Sequence, residues 1–263
     1  MSELVTIERI DQTAVVRLQR ADQENRLNDE MFDALRRAAL RLSDAPPATI
    51  IITGTEDLFC AGLDMSPANP TVARIEALAR NRDTYALSEL IRGLRTQLDL
   101  LGRVPCPTIA AIEGICHGAG LQLALTCDLR VASSTASFRL PETQMGALPF
   151  LGGLVRLSSL IGQTRTTDLV LTGREVDAPT LESWGVLNRV VPPGEALTRA
   201  LELAQTLSKN SSQATKNALL AIRQLNGADG DTYEIESETG ARTLSTGDFT
   251  EAVLAKFSTP KTP

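Results

Sequence analysis

Only one histidine, His117, occurs in the 263 residues, and its scarcity removes whole classes of chemistry. Ser-His and Cys-His nucleophilic arrangements need an imidazole beside the nucleophile, which a single histidine makes hard to supply. The four cysteines, Cys60, Cys106, Cys116 and Cys127, contain no Cys-x-x-Cys pair. That argues against a zinc site, and free buried thiols in a reducing compartment are expected instead. Cys116 has no spare His or Asp nearby to activate it as a nucleophile. No apolar run approaches the roughly 20 residues of a membrane span, so no membrane insertion is expected. The start, Met1-Ser2-Glu3-Leu4-Val5, lacks a basic segment followed by an apolar one, and a cytoplasmic location is expected. Cationic residues are outnumbered, 26 to 32, and the net charge of −6 argues against nucleic acid or an anionic membrane as main partner. The Gly-x-Ser-x-Gly elbow, the Walker Gly-Lys-Ser/Thr and the Rossmann fingerprint are also missing. Carboxylates and backbone amides remain.

What is present reads as a soluble globular chain with a sizeable core. Residues 5–10 and 14–18 form a β-hairpin pattern. Asn28 caps a helix with Asp29 and Glu30 in its first turn, Phe32, Leu35, Ala39 and Leu42 on one face, and Pro46-Pro47 beyond its end. Thr49-Ile50-Ile51-Ile52-Thr53 is a buried strand. A loop is expected from Gly54 to Asp64, then a mobile segment from Met65 grading into helix by Asn81, then a long helix from Tyr85 to Leu101. Short strands are expected at residues 129–132, 137–140 and 187–191. Leu151–Ile161 and Thr164–Leu171 read as helices separated by Gly162. After Pro192-Pro193-Gly194 only helices are expected, with a loop at Asn226–Gly230. The division is residues 1–192 as an α/β core and 193–263 as a helical C-terminal region.

The chain is organised around Pro107–Glu142. Thr108-Ile109-Ala110-Ala111-Ile112 reads as a strand, Leu121-Gln122-Leu123-Ala124-Leu125 as a helix, and the small residues between as a tight turn. The first N–H groups of a helix have no internal partner, so such a turn presents donors to an anion. Taken alone, Gly118-Ala119-Gly120 is more often a helix-entry turn, and Pro141-Glu142 a capping acid.

Together with Phe59-Cys60-Ala61-Gly62-Leu63-Asp64, Gly114–Arg130 and Ser137–Leu157, these segments resemble the enoyl-CoA hydratase/isomerase (crotonase) superfamily in motif, order and spacing. The resemblance implies an α/β fold, a crotonase-like spiral of repeated ββα units with a helical C-terminal trimerisation region, assembled as a homotrimer or dimer of trimers. It implies an acyl-CoA thioester substrate and no separate cofactor, coenzyme A being part of that substrate. The backbone N–H groups of Leu63 and Ala119 would bind the thioester oxygen as an enolate forms, and Glu142 would transfer the proton. Ala61, Asp64, Gly118 and Gly120 belong to the same substrate-binding segments, though Asp64 also reads as a structural acid holding its loop. Arg26 and Lys256 are candidates for the CoA phosphates.

One position departs from the family's hydratases, which usually carry a second glutamate where this chain has Gln122, twenty residues before Glu142. An amide can orient a water but cannot take its proton. Moving a double bond from C3 to C2 needs one base, whereas hydration needs an activated water and a proton donor. The expected activity is therefore 3-enoyl-CoA to 2-enoyl-CoA isomerisation with Glu142 as single base. The alternatives are a 2-enoyl-CoA hydratase in which Gln122 orients water, and a non-catalytic acyl-CoA binding protein. A dienoyl-CoA isomerase would want a further acid near Phe150, and the tyrosines of aromatic-acid hydratase-lyases have only Tyr85 and Tyr233 as counterparts.

Overall fold

Apolar β-branched runs become buried strands and punctuated amphipathic segments become helices, in the order β1 (Val5–Ile10), β2 (Thr13–Leu18), α1 (Asp29–Asp44), β3 (Thr49–Thr53), β4 (Leu58–Cys60), α2 (Pro70–Arg80), α3 (Thr84–Asp99), β5 (Thr108–Ile112), β6 (Ile115–His117), α4 (Ala119–Ala124), β7 (Leu129–Ser133) and β8 (Ser137–Arg139). There follow α5 (Gly153–Thr172), β9 (Val176–Asp177), α6 (Ala178–Ser183), β10 (Arg189–Val191), α7 (Ala196–Ser208), α8 (Ser212–Leu225), α9 (Gly230–Leu244) and α10 (Asp248–Ser258). This computed structural model describes residues 3–55, 57–225 and 230–258, with side chains omitted at 225, 230–232 and 256–258. Most of the expected loop Asn226–Gly230 therefore lies outside the described residues.

Two sheets result. The larger has the order β1-β2-β3-β5-β7-β10 and is parallel beyond the β1–β2 hairpin; the smaller has the order β4-β6-β8-β9 and is parallel from β4 to β8. Each of β3, β5 and β7 lies in the large sheet, and the chain then bends within a few residues into β4, β6 or β8 of the small one. Gly114 makes one such bend at φ +55, where a Cβ would lie 1.9 Å from the Asp57 carbonyl oxygen. This is a repeated ββα plan.

Side-chain alternation divides the large sheet's faces. Ile50 and Ile52 join the core with Phe32, Leu35 and Leu42 of α1, while Ile51, Ile109, Ala111 and Val131 face α7 through Ala196, Ala200 and Ala204. Alanines four apart give α7 a flat stripe that lies close on the strands. Helix α7, though beyond Pro192, thus covers one face of the sheet. Helix α9 packs on α3 and α5, and α10 packs on the turn at Glu142–Met145. The described residues contain no helix long and apolar enough to cross a membrane.

Asn28 caps α1 as expected, its side chain accepting from Met31 N–H at 3.0 Å. Gly162 sits at φ +76 and kinks α5 where two helices were expected. Two expectations need correcting: the loop expected over residues 54–64 contains β4, and the tight turn contains β6. Residues 176–183, given no element from the sequence, hold β9 and α6. Strands of two or three residues carry no readable period and exist because partners hydrogen-bond to them.

Arg130 on β7 anchors the end of α4. It is 5 % exposed, and its guanidinium donates to the carbonyls of Val186 (2.6 Å), Cys127 (2.6 Å) and Ala124 (3.4 Å). Replacement by methionine fills similar space but leaves buried carbonyls unpaired. Arg130→Met is expected to cost about 3 kcal/mol in urea unfolding, and a loss below about 1 kcal/mol would contradict this anchoring role.

Candidate active site

Parallel pairing of β4, β6 and β8 brings their C-terminal ends side by side, and a candidate site residue follows each end. Leu63 follows β4, Ala119 follows β6 and Glu142 follows β8. Three segments distant in sequence meet because their strands are neighbours.

The Leu63 segment is fixed by its flanks. Gly62 accepts from Leu27 N–H at 2.8 Å, and Asp64 N–H donates to the Leu27 carbonyl at 2.9 Å. The Asp64 carboxylate pairs with Arg20 at 2.7 Å and accepts from Ser66 N–H at 3.0 Å. Leu63 N–H has no acceptor among the described residues. Gly118 (φ +52, ψ −123) takes a backbone conformation that a side chain would strain, and its N–H donates to the Arg139 carbonyl at 2.8 Å. Helix α4 then begins without a capping side chain, and Ala119 N–H likewise has no acceptor among the described residues. The two segments touch: a Cβ on Gly62 would lie 3.1 Å from the His117 carbonyl oxygen and 3.5 Å from Ala119 N.

Glu142 opens a short 3-10 turn that runs to Met145. Its Oε1 accepts from Gln122 Nε2 at 2.9 Å, while its buried Oε2 has no partner among the described residues. Burial pushes the Glu142 carboxyl up to about 7, against the opposing pull of its own backbone and of Gln122. Gln122 is 2 % exposed, and its Oε1 accepts from the N–H groups of Leu151 (2.8 Å) and Gly153 (3.2 Å). Two backbone donors on one end identify that end as oxygen, which leaves the amino end to face Glu142. Gln122 is therefore a hydrogen-bond donor to the carboxylate and has no means of taking a proton.

A cavity of about 150 Å³ collects these groups, with Leu63, Ala119, Gln122 and Glu142 in its wall. Ala61, Gly118 and Arg26 also line it. Asp64 and Gly120 do not. The Asp64 carboxylate is engaged by Arg20 and Ser66, and Gly120 packs on the Cys60 carbonyl, 2.2 Å from where a Cβ would stand. The Lys256 side chain lies outside the described residues. His117 borders the cavity with Nε2 2.8 Å from Ser137 Oγ, and burial lowers its pKa toward the neutral form. Burial pushes the thiols of Cys60, Cys106 and Cys127 up to about 12 and raises Cys116 as well, so none is poised as a thiolate.

The apolar wall comes from Met65, Met145, Ala147, Leu148, Phe150 and Phe249. Met65 opens the segment that was expected to be mobile and grade into helix. Phe249, at the start of α10, was not foreseen, because an apolar residue in a terminal helix carries no signal of which cavity it reaches.

A carboxyl raised from the ordinary 4.5 to about 7 holds its proton in the folded state over a window where the unfolded chain has lost it. Stability therefore falls as pH rises through that window and levels off above it. Glu142→Gln removes the buried charge and is expected to stabilise the protein at pH 8 by about 2–3 kcal/mol, the gain fading below about pH 5. Thermal unfolding of both proteins across this range is the check, and a lower Tm for the variant at pH 8 would contradict it.

The enoyl-CoA hydratase/isomerase family model matches residues 8–256. A probable enoyl-CoA hydratase of Mycobacterium bovis is 36% identical over 224 residues, spanning 84% of this chain and 82% of that protein. A mitochondrial Delta(3,5)-Delta(2,4)-dienoyl-CoA isomerase of Dictyostelium discoideum is 30% identical over 220 residues, spanning 81% and 75%. The crystal structure of an enoyl-CoA hydratase from Bacillus anthracis superposes with a TM-score of 0.75 at 29% identity, covering 92% of this chain and 91% of that one. With two unsatisfied amides and a buried carboxyl converging at the ends of three parallel strands, the chain belongs to the enoyl-CoA hydratase/isomerase family and is an acyl-CoA enzyme on the crotonase fold.

Proposed function

We propose that the protein is a 3-enoyl-CoA to 2-enoyl-CoA isomerase with Glu142 as its single base. The observation that carries this reading is the orientation of Gln122, whose oxygen is taken by Leu151 and Gly153 N–H and whose amino group donates to Glu142. A second proton acceptor for activating water is therefore missing at the place where the family's hydratases carry one.

In this scheme Glu142 removes a proton from C2 of the substrate, and the electron pair delocalises through the thioester to a dienolate oxygen. The N–H groups of Leu63 and Ala119 hold that oxygen, each such preorganised donor being worth roughly 3 kcal/mol. The protonated Glu142 then returns its proton to C4, leaving the double bond between C2 and C3. A carboxyl at about 7 suits both halves of the cycle, since it is neither too weak a base nor too weak an acid near neutral pH. The apolar wall keeps water from quenching the dienolate.

The second reading is 2-enoyl-CoA hydration. It is favoured by the similarity to the Mycobacterium bovis relative, named a probable enoyl-CoA hydratase, and to the Bacillus anthracis enoyl-CoA hydratase structure. In it Gln122 positions a water and Glu142 alone handles the protons.

Purified protein supplied with 3-enoyl-CoA and 2-enoyl-CoA esters separates the two. The isomerase is expected to turn over the first and hydrate the second slowly, and Glu142→Gln is expected to lower kcat about 10³-fold. Fast hydration without isomerisation would sink the proposal. Turnover should rise with pH, kcat/KM following the ionised Glu142 with a midpoint of about 7. Gln122→Glu restores a second acid–base group and is expected to increase hydration relative to isomerisation.

A further inference from the structure

The N-terminus of α5 is gripped from two sides. Leu151 and Gly153 N–H donate to Gln122 Oε1, while Gly152 and Val155 N–H donate to the two carboxylate oxygens of Glu236 on α9, the Val155 bond at 3.2 Å. Gly152 stands at φ +90, which lets neighbouring N–H groups face opposite ways. Glu236 is 3 % exposed and has no ion-pair partner among the described residues. A neutral Ser or Asn would cap a helix without burying a charge. What a carboxylate adds is two acceptors at a fixed separation, so that two donors are held at once.

The surroundings keep α9 in place for this grip. Arg156 of α5 pairs with Asp99 of α3 and donates to the Leu151 carbonyl at 3.1 Å, and Arg95 of α3 donates to the Tyr233 carbonyl at 3.1 Å. Both guanidinium groups lie over the Tyr233 ring, at 4.6 Å for Arg95 and 5.5 Å for Arg156. These are the charged and titratable groups around Glu236: Arg156 from α5, Arg95 and Asp99 from α3, and Tyr233 from its own helix. Burial pushes the Glu236 carboxyl itself up to about 7, with the two bonded N–H groups and both arginines opposing.

We propose that Glu236 is a positioning residue for proton transfer: it holds the α5 N-terminus so that Leu151 and Gly153 keep the Gln122 oxygen and the Gln122 amino group stays on Glu142. The proposal rests on the reading of Glu142 as the base. If the clamp loosens, the Gln122 amide is free to turn over, and its oxygen then opposes the ionised carboxylate that its amino group had favoured. Glu142 becomes harder to ionise, and the acid limb of the pH profile moves upward.

The test is the pH dependence of kcat/KM, which reports the free enzyme, measured on whichever of the 3-enoyl-CoA or 2-enoyl-CoA esters is turned over. Glu236→Gln keeps one acceptor and sets an amino group against the other N–H. It is expected to move the acid limb up by about one pH unit, with KM changed less than about twofold. Glu236→Asp, which keeps the charge on a shorter arm, is expected to move it by less. Combined with Gln122→Leu, Glu236→Gln should add no shift beyond that of Gln122→Leu alone. An unmoved limb, an additive shift, or failure of both Glu236 variants to fold overturns the proposal. A wild-type acid limb near 7 that vanishes in Glu142→Gln but is unmoved in Glu236→Gln refutes the positioning role alone. Full turnover in Glu142→Gln instead refutes the base assignment, whatever Glu236 does.

Discussion

An ionised carboxylate in an apolar cavity loses most of its hydration, and Glu142 recovers only part of that from its own backbone and from the Gln122 amide. The other structural features of the site follow from that imbalance. Gln122 has to present its amino end, so its oxygen is occupied by two backbone donors of the α5 start. Those donors stay in place because the next ones in the turn are taken by a second buried side chain, Glu236. The environment of the Glu142 carboxyl is thus set by hydrogen bonds that reach from the centre of the chain to its C-terminal helices.

The opposite side of the cavity presents backbone donors. Leu63 and Ala119 each carry an N–H without an acceptor among the described residues, and for the proposed oxyanion role their side chains would matter little. What matters is that glycine stands at positions 62 and 118, where the two segments approach within van der Waals contact and the backbone turns outside the ordinary regions. The small sheet supplies the registration. Parallel strands end on the same side, so groups placed just beyond β4, β6 and β8 converge without any of the three needing a long reach. Helix α10 closes the assembly from the far end of the chain, with Phe249 in the cavity wall.

The legible parts of the sequence were those with a local physical cause. The run Thr49–Thr53 is β-branched throughout with an apolar centre, and it lies fully buried in the large sheet. Asn28 has the side chain, and Asp29 and Glu30 the charges, of a helix start, and α1 begins there. The spacing of Gln122 and Glu142 was readable, and the two side chains meet. Asp64 was readable as a structural acid of its loop, but its partner was not: Arg20, forty-four residues earlier, takes its carboxylate. Strands β4 and β6 were hidden because they lie in short segments flanked by glycine, which read as loop and turn, and pairing with each other makes them strands.

By itself the sequence determined which chemistry is open to the chain. One histidine, no Cys-x-x-Cys pair and an amide at position 122 narrow the candidates at the site to Glu142 and backbone donors, since side-chain identity sets what can accept or release a proton. It also determined where the chain must turn, because glycine and proline act through the local backbone. Only the tertiary structure decided which way Gln122 points and how far Glu142 is lifted toward 7. It also decided that Glu236 and Phe249 belong to the same neighbourhood. Orientation and desolvation depend on atoms contributed by distant segments, and no local pattern records which segments those will be.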